Sequence, residues 1–221
     1  MQFRDRTDAG QHLAEALSSL GPRTPAVVLA LPRGGVPVAA PVAAALGATL
    51  DVMVVRKLGA PSQPELAIGA IAEHGVRVLD PAMLERLRLD DDAVATVEAA
   101  ERRELQRRVH RYRGGRPLPD LTGRTVVVVD DGLATGATAV AACRAVRTRG
   151  PDRLVLAVPV GSAAGVEHLR EEADDVVCPI VPHRFRAVGQ WYADFAQTSD
   201  DEVLRLLADQ PAQNPDTGTS R

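Results

Sequence analysis

The chain is predicted to fold as an α/β domain, a parallel sheet flanked by helices. Three observations carry this. Short β-branched and leucine-rich runs alternate with alanine-rich helical stretches along most of the 221 residues. One run, Val126–Val129, is valine throughout with no polar alternation, the pattern of a strand covered on both faces. Loops rich in Gly, Pro and Thr follow several of the runs, where a parallel sheet presents the ends of its strands. Composition agrees: 45% hydrophobic and 25% charged residues supply the core of one domain with an elaboration.

Other classes are disfavoured. A net charge of −3 gives no general affinity for nucleic acid. Cys143 and Cys178 have neither a disulfide framework nor metal-ligand spacing, and read as small apolar residues. The opening Met-Gln-Phe-Arg-Asp-Arg begins no signal peptide, and no apolar run is long enough to span a membrane. A cytoplasmic protein is expected.

The elements follow in order. A first helix is expected from about Thr7 to Leu20, with Leu13, Ala14 and Leu17 facing inward. Ala26–Leu31 reads as a strand, Pro32–Gly35 as a loop, Val36–Leu46 as a helix and Leu50–Val55 as a strand. Residues 56–65, punctuated by Gly59, Pro61 and Pro64, read as a long polar loop. Leu66–Ile71 and Val76–Leu79 read as a hairpin turning at His74-Gly75.

Residues 81–113 read as helical, the core of an insertion covering about 81–116, with a single helix over Asp90–Arg113. Val94, Val97, Leu105, Val109 and Tyr112 form its apolar stripe. Arg102, Arg103, Arg107, Arg108, Arg111 and Arg113 crowd its second half, with Glu98, Glu101 and Glu104 interleaved ahead of them, an order that suits the helix dipole. A solvated helix with one packed face explains this better than an RNA-binding surface; the helix is also placed to pack on a partner subunit.

A strand at 125–130, a helix from near Ala137 to about Arg149, a strand at Leu154–Val158, a helix at Ala163–Glu172 and a short strand at Val176–Val177 complete the alternation. The domain is expected to span 1–208, with a disordered tail at 209–221 rich in Gln, Asn, Pro, Thr and Ser.

The chemistry is concentrated after the central strand. Asp130 and Asp131 stand at its end, followed by Gly132-Leu-Ala-Thr-Gly-Ala-Thr138 and a helix. Gly136 lets the backbone approach a phosphate with no Cβ in the way. The free amides and dipole of the helix start favour an anion, and Thr135 and Thr138 add hydroxyl donors. Carboxylates do not bind phosphate, but they accept hydrogen bonds from sugar hydroxyls or hold Mg²⁺ through its water shell. A ligand with a phosphate at one end and a diol or magnesium in its middle fits both halves. The stretch is not a P-loop, lacking Gly-Lys-Ser/Thr, and not a dinucleotide fingerprint, because the acids precede the loop. An ordinary strand, turn and helix cap explains neither the second Asp nor both threonines.

Four hydrophobics, two acids, three variable residues and Thr-Gly-x-Thr resemble the PRPP-binding motif of type I phosphoribosyltransferases, and the resemblance extends over most of residues 3–207. It implies a type I phosphoribosyltransferase-like fold with a small C-terminal hood at about 179–200. The implied reaction is Mg²⁺-dependent displacement of pyrophosphate from C1 of PRPP by an acceptor, usually a nitrogen, through an oxocarbenium-like transition state. Asp130 and Asp131 would hold the ribose hydroxyls and, through water, the metal. Ala134, Thr135, Gly136, Ala137 and Thr138 would hold the 5′-phosphate.

Two further loops carry the resemblance. Leu31-Pro32-Arg33-Gly34-Gly35 is similar to the family's pyrophosphate loop, which often contains a non-proline cis peptide. Arg33 would supply a forked donor, and Gly34 and Gly35 exposed amides. Arg56-Lys57-Leu58-Gly59-Ala60-Pro61 through Glu65 resembles the start of the mobile catalytic loop, most closely that of a bacterial branch apart from the purine and pyrimidine enzymes. Catalytic roles are thereby implied for Arg56 and Lys57, on the departing pyrophosphate, alongside Asp130 and Asp131. Movement of the loop would exclude water.

Phe185, Trp191, Tyr192 and Phe195 crowd the hood segment of a chain only 3% aromatic. Either they stack a planar acceptor or they form a satellite core. Trp191, Tyr192 and Asp194 are the acceptor candidates, Asp194 facing an amine or ring edge or else capping a helix that begins near Ser199. Ala134 occupies the position where 6-oxopurine enzymes carry an acid/base Asp, which argues against hypoxanthine or guanine. The expected partners are PRPP and a small-molecule acceptor, with a homodimer as the possible assembly. A second class stays open: a non-catalytic PRPP or nucleotide sensor whose arginine-rich helix contacts RNA.

Overall fold

A computed structural model describes residues 2–18 and 26–209. Helix α1 (Arg6–Ser18) leads into strand β1 (Val27–Ala30), α2 (Gly35–Leu46) and β2 (Thr49–Val52). β3 (Val55–Ala60), β4 (Gln63–Ala72) and β5 (Arg77–Leu79) follow, then α3 (Pro81–Leu87) and α4 (Asp91–Arg113). β6 (Thr125–Val129), α5 (Ala137–Arg147), β7 (Arg153–Ala157), α6 (Ala163–Leu169), β8 (Asp175–Val177) and α7 (Asp200–Ala208) close the order. Leu20 and the tail from residue 210 lie outside the described residues.

Five strands form a parallel sheet in the order β2-β1-β6-β7-β8. The valine run explains itself through side-chain alternation. Val127 and Val129, with Val28 and Ala30 of β1, join the core built with α1 and α2. Val126 and Val128, with Val27 and Leu29, join the core built with α5. Both faces are covered, so neither admits a polar residue. The α/β expectation holds in full.

The largest departure is at residues 56–65, which are not a polar loop. β3 pairs antiparallel with β4 from Val55↔Ala72 to Ala60↔Gln63, turning at Pro61-Ser62, and β4 pairs in turn with β5. Val55, Leu58 and Ala60 are buried, an apolar pattern interrupted at Gly59. The register slips on both sides of Gly59, and a Cβ there would lie 2.2 Å from the carbonyl oxygen of Pro64. Gly59 therefore marks a bulge inside a strand rather than a loop. The apolar run expected over Leu50–Val55 divides at Met53-Val54, where the chain leaves one sheet for the other.

The helical insertion breaks once. Arg88 adopts a left-handed conformation (φ 51°) that ends α3, and Asp90 caps α4 by accepting from the Ala93 amide at 2.8 Å. Val94, Leu105 and Tyr112 then bury the expected stripe against the β3–β5 sheet and α7. Among the described residues no helix is long and apolar enough to cross a membrane.

Candidate active site

The two acids leave β6 where β1 delivers its own loop. The Leu31 amide donates to the Val129 carbonyl at 2.8 Å, holding the chain after β1 against the end of β6. The Pro32–Arg33 peptide is cis. Gly34 then approaches so closely that a Cβ on it would lie 2.0 Å from Asp131 Oδ2 and 3.2 Å from Arg6 Nε. The structure thus brings together Gly34, Gly35, Asp130 and Asp131.

Electrostatics at the acid pair is unbalanced. Arg6 Nε donates to Asp131 Oδ2 at 2.8 Å, and the Asp131 amide donates to Asp130 Oδ1 at 2.8 Å. Burial, then the negative charge of Asp131, pushes the Asp130 carboxyl well above the ordinary range. Burial also raises Asp131, against the pull of Arg6. Two half-buried carboxyls share one guanidinium, so donors or a cation from a ligand would stabilise their charged forms. Among the described residues no three His, Cys, Asp or Glu side chains converge as a metal cage. An adjacent acid pair suits magnesium, which keeps several waters and takes its remaining ligands from substrate phosphates.

The loop after the acids is held from behind. The Leu133 amide donates to the Val160 carbonyl at 2.9 Å, the Ser162 amide to the Leu133 carbonyl at 2.8 Å, and Ser162 Oγ to the Ala134 carbonyl at 2.7 Å. Gly136 opens α5 with φ 85°, a left-handed conformation glycine adopts without strain. The first-turn amides of α5, at Ala137 and Thr138, lack intrahelical acceptors. Thr135 is exposed and Thr138 half-buried, and neither hydroxyl has a partner among the described residues.

The cations are distributed differently from the sequence expectation. Arg33 Nη1 lies 3.8 Å from Asp200 Oδ1 at the start of α7. That carboxylate also accepts from the Tyr112 hydroxyl at 2.7 Å and pairs with Arg111 Nε at 3.0 Å. Lys57 Nζ donates to the Glu65 carbonyl at 3.1 Å and shares a cleft of about 630 Å³ with Thr135 and Ala137. Arg56 instead donates to Glu101 of α4 at 2.7 Å. Neighbouring strand residues project to opposite faces. The structure therefore brings Lys57, but not Arg56, to the cleft lined by Thr135 and Ala137.

The C-terminal aromatics form a satellite core. Tyr192 is buried, with its ring 5.5 Å from Phe3 and 5.0 Å from Phe195, and its hydroxyl donates to the Asp131 carbonyl at 2.6 Å. Phe185, Val188 and Trp191 pack around it, half-buried. Tyr192 thus has no free face for a planar ligand. It steadies the backbone of Asp131. Trp191 Nε1 is buried without a partner among the described residues. Phe195 is the exposed aromatic, 37% accessible. Asp194 accepts from the Ala196 amide at 2.9 Å, while Ser199 caps α7 by accepting from the Glu202 amide at 3.1 Å. Asp194 is therefore not the helix cap.

Arg6 escaped the sequence reading. It joins Asp131, the Ala196 carbonyl (Nη1, 2.7 Å) and the Phe195 ring (4.0 Å to the centroid). No spacing signal marks it, because its partners lie far along the chain.

The arginine-rich helix is largely neutralised. Arg102 pairs with Glu98 at 2.6 Å, and Arg107 and Arg108 each pair with Glu104 at 2.7 Å. Arg113 is buried against Glu73 and donates to the Val52 carbonyl at 3.0 Å. These pairings suit a scaffold helix and leave little free positive charge for a polyanion.

A profile described as a phosphoribosyl transferase domain matches residues 3–195. The Mycobacterium tuberculosis protein Rv0571c, whose name makes it provisionally a phosphoribosyl transferase, is 55% identical over 205 residues, covering 93% of this chain and 46% of that protein. The chain thus spans about half the length of the curated relatives it matches. Among solved structures, the TT1426 protein from Thermus thermophilus superposes with a TM-score of 0.80 at 48% identity, covering 95% of this chain and 99% of that one. The AQ2163 protein from Aquifex aeolicus, at 14% identity and a TM-score of 0.50 over 83% and 78% of the two chains, shares the fold.

Proposed function

Because the chain belongs to the phosphoribosyl transferase domain family, we propose that it transfers the phosphoribosyl group of PRPP to a small-molecule acceptor, releasing pyrophosphate. The observation that carries this reading is the contact of the Gly34 loop with Asp131, beside a helix start that bears Thr135 and Thr138. One loop suits a pyrophosphate, the acids suit a diol, and the helix start suits a terminal phosphate. Their order matches the three parts of PRPP.

In the reaction, the bond from ribose C1 to the pyrophosphate oxygen breaks, and its electron pair leaves on pyrophosphate. The acceptor nitrogen forms the new bond to C1 and releases its proton to water. Thr135, Gly136, Ala137 and Thr138 anchor the 5′-phosphate through amides and hydroxyls. Asp130 and Asp131 accept from the ribose hydroxyls and fix C1 between the leaving group and the acceptor. The Gly34 amide, Arg33 and Lys57 stabilise charge on the leaving group; the Gly35 amide, expected from the sequence to be exposed, is instead spent on the Leu31 carbonyl at 3.0 Å. Asp130 and Asp131 would also hold Mg²⁺ through water; when bound it supplies positive charge to the pyrophosphate oxygens.

The acceptor is a nitrogen compound other than a 6-oxopurine. Ala134 leaves no carboxylate in the loop to manage a ring proton, and Thr135 and Thr138 serve the phosphate. The full chain should release pyrophosphate from PRPP only when a competent amine or base is added from a panel of both. PRPP that binds and stays intact across the panel, while still changing the protein's melting point, would instead support the sensor reading.

A further inference from the structure

Arg6 opens α1, yet its side chain reaches into the cleft between the Gly34 loop and the segment that carries Phe195. It is 11% exposed. Asp131 takes Nε at 2.8 Å and the Ala196 carbonyl takes Nη1 at 2.7 Å. The guanidinium lies 4.0 Å from the Phe195 ring centroid, which fixes its place by cation–π contact. Its remaining N–H groups have no partner among the described residues. A guanidinium anchored on one side, with its other donors unspent and open to solvent, is poised for an anion with several oxygens.

The Gly34 loop says where that anion sits. Arg6 Nε lies 3.2 Å from where a Gly34 Cβ would stand, so the guanidinium borders the Gly34 backbone. Arg33, on the same loop, lies within ion-pair distance of Asp200 instead. Asp131 is shared: it faces Gly34 and neutralises Arg6 at the same time. A ligand whose hydroxyls engage Asp131 frees part of the Arg6 charge beside the position of the leaving group.

We propose that Arg6 is a pyrophosphate-binding residue, whose charge rests on Asp131 until substrate arrives. This deepens the reading above and rests on it, since that reading assigns the Gly34 loop to pyrophosphate. Through Ala196 and Phe195 the same side chain ties the C-terminal segment to the leaving group.

The experiment titrates the full chain with inorganic pyrophosphate and, separately, with ribose 5-phosphate, for wild type, Arg6→Gln and Arg6→Lys. Arg6→Gln should weaken pyrophosphate by about tenfold or more, the loss expected for charge-assisted hydrogen bonds, and leave ribose 5-phosphate nearly unchanged. Arg6→Lys keeps the charge without the fork and should fall between them; it decides the matter if Arg6→Gln does not fold. A role limited to holding Asp131 would weaken ribose 5-phosphate and spare pyrophosphate, and that result overturns the assignment, as do a parallel loss of both ligands and unchanged pyrophosphate affinity. A wild type that binds ribose 5-phosphate but not pyrophosphate overturns the Arg6 assignment alone. A wild type that binds neither ligand overturns the transfer reading together with it.

Discussion

A Cβ placed on Gly34 would lie 2.0 Å from Asp131 Oδ2, so the loop after β1 touches the acids after β6 closely enough to require glycine. Two segments nearly a hundred residues apart are thereby locked into one cleft. Gly34→Ala must displace either the loop or the Asp131 carboxylate. A loss of about 1–3 kcal/mol of stability is expected for such overpacking, with PRPP affinity reduced as well. Thermal melts and calorimetry on the same variant check both; an alanine variant with wild-type affinity would show that the close contact serves no ligand.

Lys57 and Arg56 should separate functionally. Lys57 shares the cleft with Thr135 and Ala137, whereas Arg56 is held by Glu101. If Lys57 stabilises charge that develops on leaving pyrophosphate, Lys57→Ala should lower kcat by about 100-fold, the typical effect of losing one such group, with a smaller change in KM for PRPP. Arg56→Ala should act on stability and spare kcat. Steady-state kinetics of the two variants decide; a larger kcat loss from Arg56→Ala reverses the assignment.

Asp200 gives a pH signature. The Tyr112 hydroxyl bond, followed by the charges of Arg111 and Arg33, holds its carboxyl below the ordinary value of 3.8. A depressed folded-state value means that the stabilisation is fully present above 3.8 and fades as pH falls through the folded value. Asp200→Asn should therefore cost about 1 kcal/mol at neutral pH and nothing in strong acid. Urea melts of both proteins across that range test it, and a gap that widens on acidification would contradict it.

The acceptor expectation follows from Ala134. Hypoxanthine and guanine should support negligible turnover even where PRPP binds well, because general acid–base help is worth about a hundredfold or more. A robust PRPP-dependent rate with either base would contradict this and would point to Asp194, which sits in a turn on the Ala196 amide, as the proton-handling group.

The parallel core was readable because Val126–Val129 is apolar at every position, and only a strand covered on both faces tolerates that. Asp130 to Thr138 was readable because strand, acids, loop and helix are contiguous. The β3–β4 hairpin was not, since Gly59 and Pro61 interrupt an apolar alternation that the bulge preserves in space. Arg6 and Phe3 were invisible for a different reason. They meet Asp131 and Tyr192 only through the tertiary fold, and no local period encodes a contact made across the whole chain.

Calorimetric titration of PRPP with magnesium into the wild type and into an Asp130→Asn, Asp131→Asn double variant tests the central claim most directly. Strand-end carboxyls facing a cleft are not core, so the double variant should fold, at some cost in stability because Asp131→Asn leaves the Arg6 guanidinium without its counter-charge. The account predicts saturable binding to the wild type and at least a tenfold loss in the variant, the scale of losing charge-assisted hydrogen bonds to the ribose. Equal affinity in a folded double variant would contradict it.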